Sequence, residues 1–523
     1  MNENTELSNA STQRLRPDSL ATSVAILLVV SILQRSIGFG RGVLFCRWLT
    51  PEELGNWDMA YSFLLMASPV VVLGLPGSFG RYVERFRQHG QLRTFLRRST
   101  IVTVLLTLFA VVCIVLAAPQ FSDFIFGTPS HVSRVVLVAL CLVFVILHHF
   151  LEALFAALRK FRIVSTMQFC QSMSFATISL GLLWWWRAAT ESIIVGYGVA
   201  CLISSIGMLL WTWPALVELA TPDEVSTHRE FWPPLAKFAA WVWVTNLLCH
   251  LFAIVDRYML VHWSGLDNAT AMAEVGNYHS SRIVPLLFIS LADLLAGVVM
   301  PYLSHDWEAG ERQRVSDRLN LVLKMTSLGM MAASIAVLWI APWLFHVAFE
   351  GRYDGGLMVM PWTLVYCLWY ALLIVAQNYI WCAEQTKWSS VPLAAGLVLN
   401  VVLNLYFIPA WGLLGAVVAT TLATALAVAI LYWINQRAGM ELQAGTIWMT
   451  IAPAALCGGI WPAAIAFAVL LTAIPFSKKL LTDAERELLL NFGSGQWKRF
   501  NQIRFWRKSA RFWKADANTE AVS

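Results

Sequence analysis

Arg35, Arg41, Arg257 and Arg282 each stand inside a long apolar run, as do the acids Asp58, Glu152, Asp256 and Asp293. A guanidinium at the centre of a bilayer costs about 2.5–3.5 kcal/mol even on a lenient insertion scale. Such side chains must face a wet cavity or pair with acids, as pathway groups or as structural ion pairs. Arg35 and Arg41 are separated by about 240° around a helix, so one can line a cavity while the other packs. Arg41, Asp256 and Arg257 fall near one end of their runs, where long side chains can snorkel to water. His148 and Glu152 are i,i+4 neighbours on one helical face. Their order is not the zinc-protease H-E-x-x-H, and they are expected at the cytoplasmic mouth of a pathway. A satisfied polar pair fits them first, with a proton relay or a metal site as alternatives.

Other chemistry finds little footing. The nine cysteines are scattered, with no C-x-x-C and no Cys/His ligand spacing, so no metal or cofactor is expected. No G-x-x-x-x-G-K-[ST] occurs, which argues against ATP hydrolysis. No loop is large enough for a catalytic domain.

The elements that must hold these residues are membrane helices. The chain is 58% hydrophobic and only 13% charged, with mean hydropathy +0.63, and its apolar residues form blocks long enough to cross ~30 Å of hydrocarbon. Spans are expected near 21–46, 57–80, 99–118, 133–158, 163–186, 192–217, 235–262, 277–303, 321–347, 357–382, 388–408 and 412–434. A last apolar stretch, 443–476, is long for one span and short for two. Gly458-Gly459 could turn it into a hairpin, which gives about 14 transmembrane helices in all, with 13 as the alternative. Most of the 37 Lys and Arg residues fall on one side of this scheme, which places the N-terminus in the cytoplasm of a multi-pass inner-membrane protein. The expected organisation is a cytoplasmic tail (1–20), two six-helix bundles (21–220 and 232–436), a membrane hairpin (443–476) and a basic, aromatic tail (477–523). That tail, with Trp497, Phe500, Trp506 and Trp513 among seven cations, suits the anionic surface of the cytoplasmic leaflet better than nucleic acid. Pro69, Gly74, Pro76, Pro285, Pro392 and Gly396 are hinge candidates.

A repeat orders the spans. Glu53-Leu54-Gly55-Asn56-Trp57 returns as Glu274-Val275-Gly276-Asn277-Tyr278, each copy at the start of the second span of six. Arg41 then falls on Arg257 and Trp48 on Trp263, with residues 267–272 as extra loop in the second half. An even-numbered repeat places two parallel bundles about an axis along the membrane normal, with a pathway between them.

Three stretches carry a resemblance to a known family. RWLTPEELGNWDMAYSFLLMASPVVVLGLPGSFGRYVER (47–85) resembles the first-to-second-span region of polysaccharide-biosynthesis flippases, the lipid-linked oligosaccharide exporters of the multidrug/oligosaccharidyl-lipid/polysaccharide superfamily. Residues 255–304 are similar to the seventh-to-eighth-span region of that family. Residues 397–423, with Asn400, Asn404, Ile408-Pro409, Gly412 and Gly415-Ala416, are similar to its eleventh and twelfth spans. The resemblance implies two bundles around a central cavity, working by alternating access. It implies an undecaprenyl-phosphate-type glycan as substrate, moved across a bacterial inner membrane, with a coupling ion and with other polysaccharide-assembly proteins as partners. A cationic cavity fits this, because desolvated arginine holds pyrophosphate well. The alternatives are a multidrug cation antiporter of the same superfamily and an integral membrane glycosyl- or acyltransferase.

Overall fold

A computed structural model describes residues 20–218, 228–477, 479–482 and 485. All regular structure among them is helical. Residues 1–19 and the tail beyond Glu485, with all of its aromatic and cationic cluster, lie outside the described residues. The first half comprises α1 (Leu20–Trp48), α2 (Pro51–Val71), α3 (Phe79–Gln88), α4 (Leu92–Leu116), α5 (Ala118–Phe126), α6 (Val132–Ala157), α7 (Phe161–Trp185) and α8 (Thr190–Glu218). The second comprises α9 (His228–Trp263), α10 (Asn268–Arg282), α11 (Leu286–Glu308), α12 (Arg312–Trp343), α13 (Asp354–Cys382) and α14 (Ser390–Arg437). Two short helices, α15 (Ala444–Ile451) and α16 (Ile460–Ala473), complete the described chain.

Eight of the described helices are long and apolar enough to cross a membrane, or nine if α2 with its continuation through α3 counts as one span bent by 63°. Fourteen crossings are not established by this measure. One helix hides two of the expected spans. Gly412 takes φ 56° inside α14, and the chain folds back on itself there: Asn400 donates to Thr420 Oγ1 at 3.0 Å, and a Cβ on Gly415 would stand 2.1 Å from the carbonyl oxygen of Phe407. The stretch 443–476 turns back at Gly459 (φ 92°), so that the carbonyls of Lys479 and Leu480 come against Gly445. Its two arms, Ala444–Gly458 and Ile460–Ala473, are each shorter than a full crossing.

Helix ends follow local chemistry. Thr50 caps α2 by accepting from the Glu53 amide at 3.3 Å, with Pro51 at the first helical position, where its missing N–H costs nothing. Asp267 caps α10 by accepting from the Thr270 amide at 3.1 Å. This corrects the expectation for residues 267–272: after the capping Asp267 they add a helical turn to α10 instead of a loop. The first pentapeptide accordingly begins on the first turn of α2, whereas its copy, Glu274–Tyr278, lies in the middle of α10. Leu73 (φ 50°) and Gly74 (φ 69°) break α2 from α3. Gly74 is required twice, by that φ and because a Cβ there would lie 2.7 Å from the Ala239 carbonyl oxygen. Pro285 lies at the break between α10 and α11, whereas Pro392 and Gly396 lie on an unbroken arm of α14.

The C-terminal hairpin is tied down by a buried charge. Lys324 of α12 is fully buried, and its Nζ donates to both carboxylate oxygens of Glu485 at 2.9 and 2.8 Å and to Gln443 Oε1. Glu485 and Thr482 form a reciprocal capping box, in which the Thr482 amide donates to Glu485 at 2.8 Å. Truncation after Ser477 therefore strands the Lys324 ammonium. We expect a loss of about 3 kcal/mol or more in detergent stability, largely recovered by Lys324→Met in the truncated protein, as a thermal-shift measurement would show.

Candidate functional site

The two halves meet on the repeat. A Cβ on Gly55 would stand 1.9 Å from the Met272 carbonyl oxygen, and one on Gly276 would stand 1.9 Å from the Pro51 carbonyl oxygen. The two contacts are the same contact exchanged through a two-fold, as an isologous interface requires. The pseudo-axis therefore passes between α2 and α10 at these glycines, and only glycine permits so close a crossing. The same end of the molecule is closed by the Tyr353 hydroxyl donating to the Leu49 carbonyl at 3.0 Å, by Arg47 and Glu350 at 3.4 Å, and by Asn268 donating to the Phe126 carbonyl. At the opposite end, Trp243 donates to the Val70 carbonyl at 3.3 Å, and Tyr82 packs edge-on against Phe238.

Between these contacts lies a cavity of about 620 Å³, walled by α1, α2, α6, α7 and α8 of the first half and by α10 and α11 of the second. Trp57, Tyr61, Phe175 and Tyr197 form a connected aromatic wall, with ring centroids 5.0–6.0 Å apart. Gln34, Gln168, Gln171 and Ser172 supply hydrogen-bonding groups.

The predicted residues separate into two sets. Arg35 and Arg41 line the cavity. Arg35 donates to the Ser290 carbonyl at 3.2 Å, while its Nε finds no partner. The Arg41 guanidinium lies 4.0 Å from the centroid of the Phe175 ring, with no carboxylate paired to it among the described residues. His148 and Glu152 also line the cavity, but they are not the pair that their spacing suggested. Glu152 accepts from Gln168, and His148 Nδ1 has no partner. His149, between them, shares a hydrogen bond with Ser68 at 3.1 Å. Among the described residues no cluster of His, Cys, Asp or Glu has metal-binding geometry.

Arg257, Arg282 and Asp256 are buried behind the cavity wall. Asp58, on α2, receives Arg282 Nη2 at 2.7 Å and His279 Nδ1 at 2.7 Å, and lies 3.3 Å from Arg257 Nε. Arg257 also donates to Ser62 of α2, and the Arg282 guanidinium stacks 4.4 Å from the Tyr278 ring centroid. Asp256 accepts from the Arg257 amide (2.8 Å), Tyr278 (2.7 Å) and Thr420 (3.2 Å). Asp293 is exposed on α11 and forms no ion pair among the described residues. The sequence reading missed His279, which lines the cavity. The repeat could have found it: it is the counterpart of Asp58, and the two touch across the axis.

This architecture is shared with known transporters. The chain is similar to a structure of the lipid II flippase MurJ in an inward closed conformation, with TM-score 0.65, 13% identity, and 86% of this chain and 99% of that one covered. It is also similar to a multidrug resistance MATE family transporter of the MOP superfamily in an inward-facing conformation, with TM-score 0.58, 12% identity, and 79% and 98% covered. The fold is the one these multi-pass membrane transporters share. Residues 20–307 match the family described as "Polysaccharide biosynthesis protein". The match takes in more than half of the 523 residues, and the chain belongs to that family. A curated relative, the uncharacterized membrane protein YabM of Bacillus subtilis (strain 168), is 22% identical over 426 residues, covering 77% of this chain and 78% of that protein.

Proposed function

We propose that the protein moves a lipid-linked, phosphate-bearing oligosaccharide across a bacterial inner membrane by alternating access. The observation that carries this reading is the pair of cavity arginines. Arg41 has an aromatic face and no acid partner among the described residues, and Arg35 has an unsatisfied Nε. In a site shielded from water, a guanidinium favours a planar oxyanion such as a phosphate. The aromatic wall and the glutamines suit the faces and hydroxyls of sugars. A cation exporter would need free carboxylates. Among the described residues the cavity is lined by one, Glu152, already engaged by Gln168. The N-terminus and the basic tail are assigned to the cytoplasm by the distribution of Lys and Arg, so the end sealed at Gly55 and Gly276 is the outer one.

The test is export in cells lacking the chromosomal copy. With Arg35→Leu or Arg41→Leu, surface polysaccharide falls about tenfold or more, as expected for loss of a charged hydrogen-bond donor, while membrane insertion is unchanged. Wild-type surface polysaccharide in both variants overturns the assignment of the cavity.

A further inference from the structure

The buried ion centre divides cleanly between the halves. Its two guanidinium groups, Arg257 on α9 and Arg282 on α10, and the His279 ring come from the second half, and the acceptors facing them, Asp58 and Ser62, come from α2 of the first. The carboxylate of Asp58 is 3% exposed, and the Arg257 and Arg282 side chains are 10% and 5% exposed. Separating α2 from α10 at the glycine crossing pulls Asp58 away from both guanidinium groups and from His279. Asp256 stays with the second half, held by Tyr278, Thr420 and the Arg257 amide, and cannot by itself satisfy two guanidinium groups. Leaving a buried charge without its partner is strongly destabilising. Opening this end therefore requires a second anion.

The cavity offers one route to these cations. The His279 ring lines the cavity while its Nδ1 contacts Asp58 Oδ1 at 2.7 Å. Arg282, three residues further along the same helix, lies behind it on Asp58 Oδ2. These are also the positions where the repeat has diverged in charge: His279 stands opposite Asp58, and Arg282 occupies the position that Tyr61 holds in the first half.

The geometry points to Asp58 as an internal counter-anion that latches the sealed end and hands its second-half partners, His279 and Arg282 first, to a phosphate arriving in the cavity. The latch rests on the reading of the substrate as a phosphate-bearing lipid. It adds a coupling rule: the empty carrier rests sealed at this end, and the anion of the substrate is what unlocks it. Asp58 is thus a positioning residue that competes with substrate.

Hydrogen–deuterium exchange on the full-length protein in detergent tests this, with inorganic pyrophosphate as the probe. In the wild type, pyrophosphate raises exchange in residues 50–58 and 272–280 by about fivefold, the low end of ordinary site-to-site coupling. Asp58→Asn raises exchange there to a similar extent without pyrophosphate and leaves the hairpin at 444–473 unchanged. His279→Gln removes the response to pyrophosphate. Three results overturn the latch: wild-type exchange at the seal in Asp58→Asn, exchange in Asp58→Asn that rises equally across the whole chain, or a wild-type seal indifferent to pyrophosphate. A seal that responds to pyrophosphate in a protein that moves no polyprenyl-diphosphate glycan in proteoliposomes overturns the flippase reading and leaves the latch standing.

Discussion

Gly55→Ala and Gly276→Ala each abolish the closed state at the α2–α10 crossing, and transport with it. In a helix free of neighbours, replacing glycine by alanine stabilises by about 0.5–1 kcal/mol. Here each new methyl carbon would stand 1.9 Å from a backbone carbonyl oxygen of the other half. No side-chain rotation relieves a contact between a Cβ and a main chain, so the helices must part. Overpacking of this kind costs about 1–3 kcal/mol or more. It also moves Asp58, on the turn after Gly55, away from His279 and Arg282. Because the two contacts exchange through the pseudo-axis, the two substitutions have matching effects. Cys46 supplies a native reporter: it is fully buried near this seal, and it becomes reactive to maleimide in both variants. Gly181→Ala is the control, since a Cβ there meets nothing within 4 Å. Wild-type transport together with an unreactive Cys46 in the Gly55 and Gly276 variants contradicts the crossing.

The same glycines show how much of the molecule was legible in the chain. The pentapeptide repeat located the interface, because a duplicated helical segment at the junction of two halves records the symmetry that joins them. Hydropathy, through apolar blocks long enough to cross a bilayer, gave the helical membrane class. Inside the site, legibility followed charge. Arg35 and Arg41 were recognisable as cavity residues because an unpaired cation in an apolar run has few other places to be. The same argument could not separate them from Arg257 and Arg282, which satisfy it by pairing with Asp58. That choice depends on which helix faces which, and a single span does not encode it. His279 was overlooked for a related reason. Near the start of a span a histidine looks ordinary, and it gains meaning only when the register of the repeat sets it against Asp58. The aromatic wall of Trp57, Tyr61, Phe175 and Tyr197 was invisible because aromatics are common in every span.

Arg134→Met destabilises the first half by about 3–5 kcal/mol, the cost of removing one partner from a buried ion cluster. Arg134 sits on the first turn of α6, where the helix dipole disfavours a cation. Two carboxylates compensate: Glu191 on the first turn of α8 accepts from its Nε, and Glu53 on the first turn of α2 accepts from its Nη2, both at 2.8 Å. Glu53 in turn accepts from the Thr190 amide at 2.7 Å, tying α2 to α8. The three side chains are only 10%, 22% and 15% exposed, so methionine leaves two close carboxylates with little water to screen them. The repeat counterpart of Glu53 is Glu274, which has no arginine partner among the described residues. The cluster thus rigidifies α2 against its own half, so that the helix carrying Gly55 and Asp58 moves with the first bundle as a unit. The discriminating measurement is the thermal midpoint in detergent for Arg134→Met, Glu53→Gln and Glu191→Gln, each alone and all three combined. Neutralising all three removes the stranded charges and recovers much of the loss, as a coupled network requires. If the triple variant is as unstable as the three single losses added together, the residues act independently and the ion cluster does not bind the first bundle into one body.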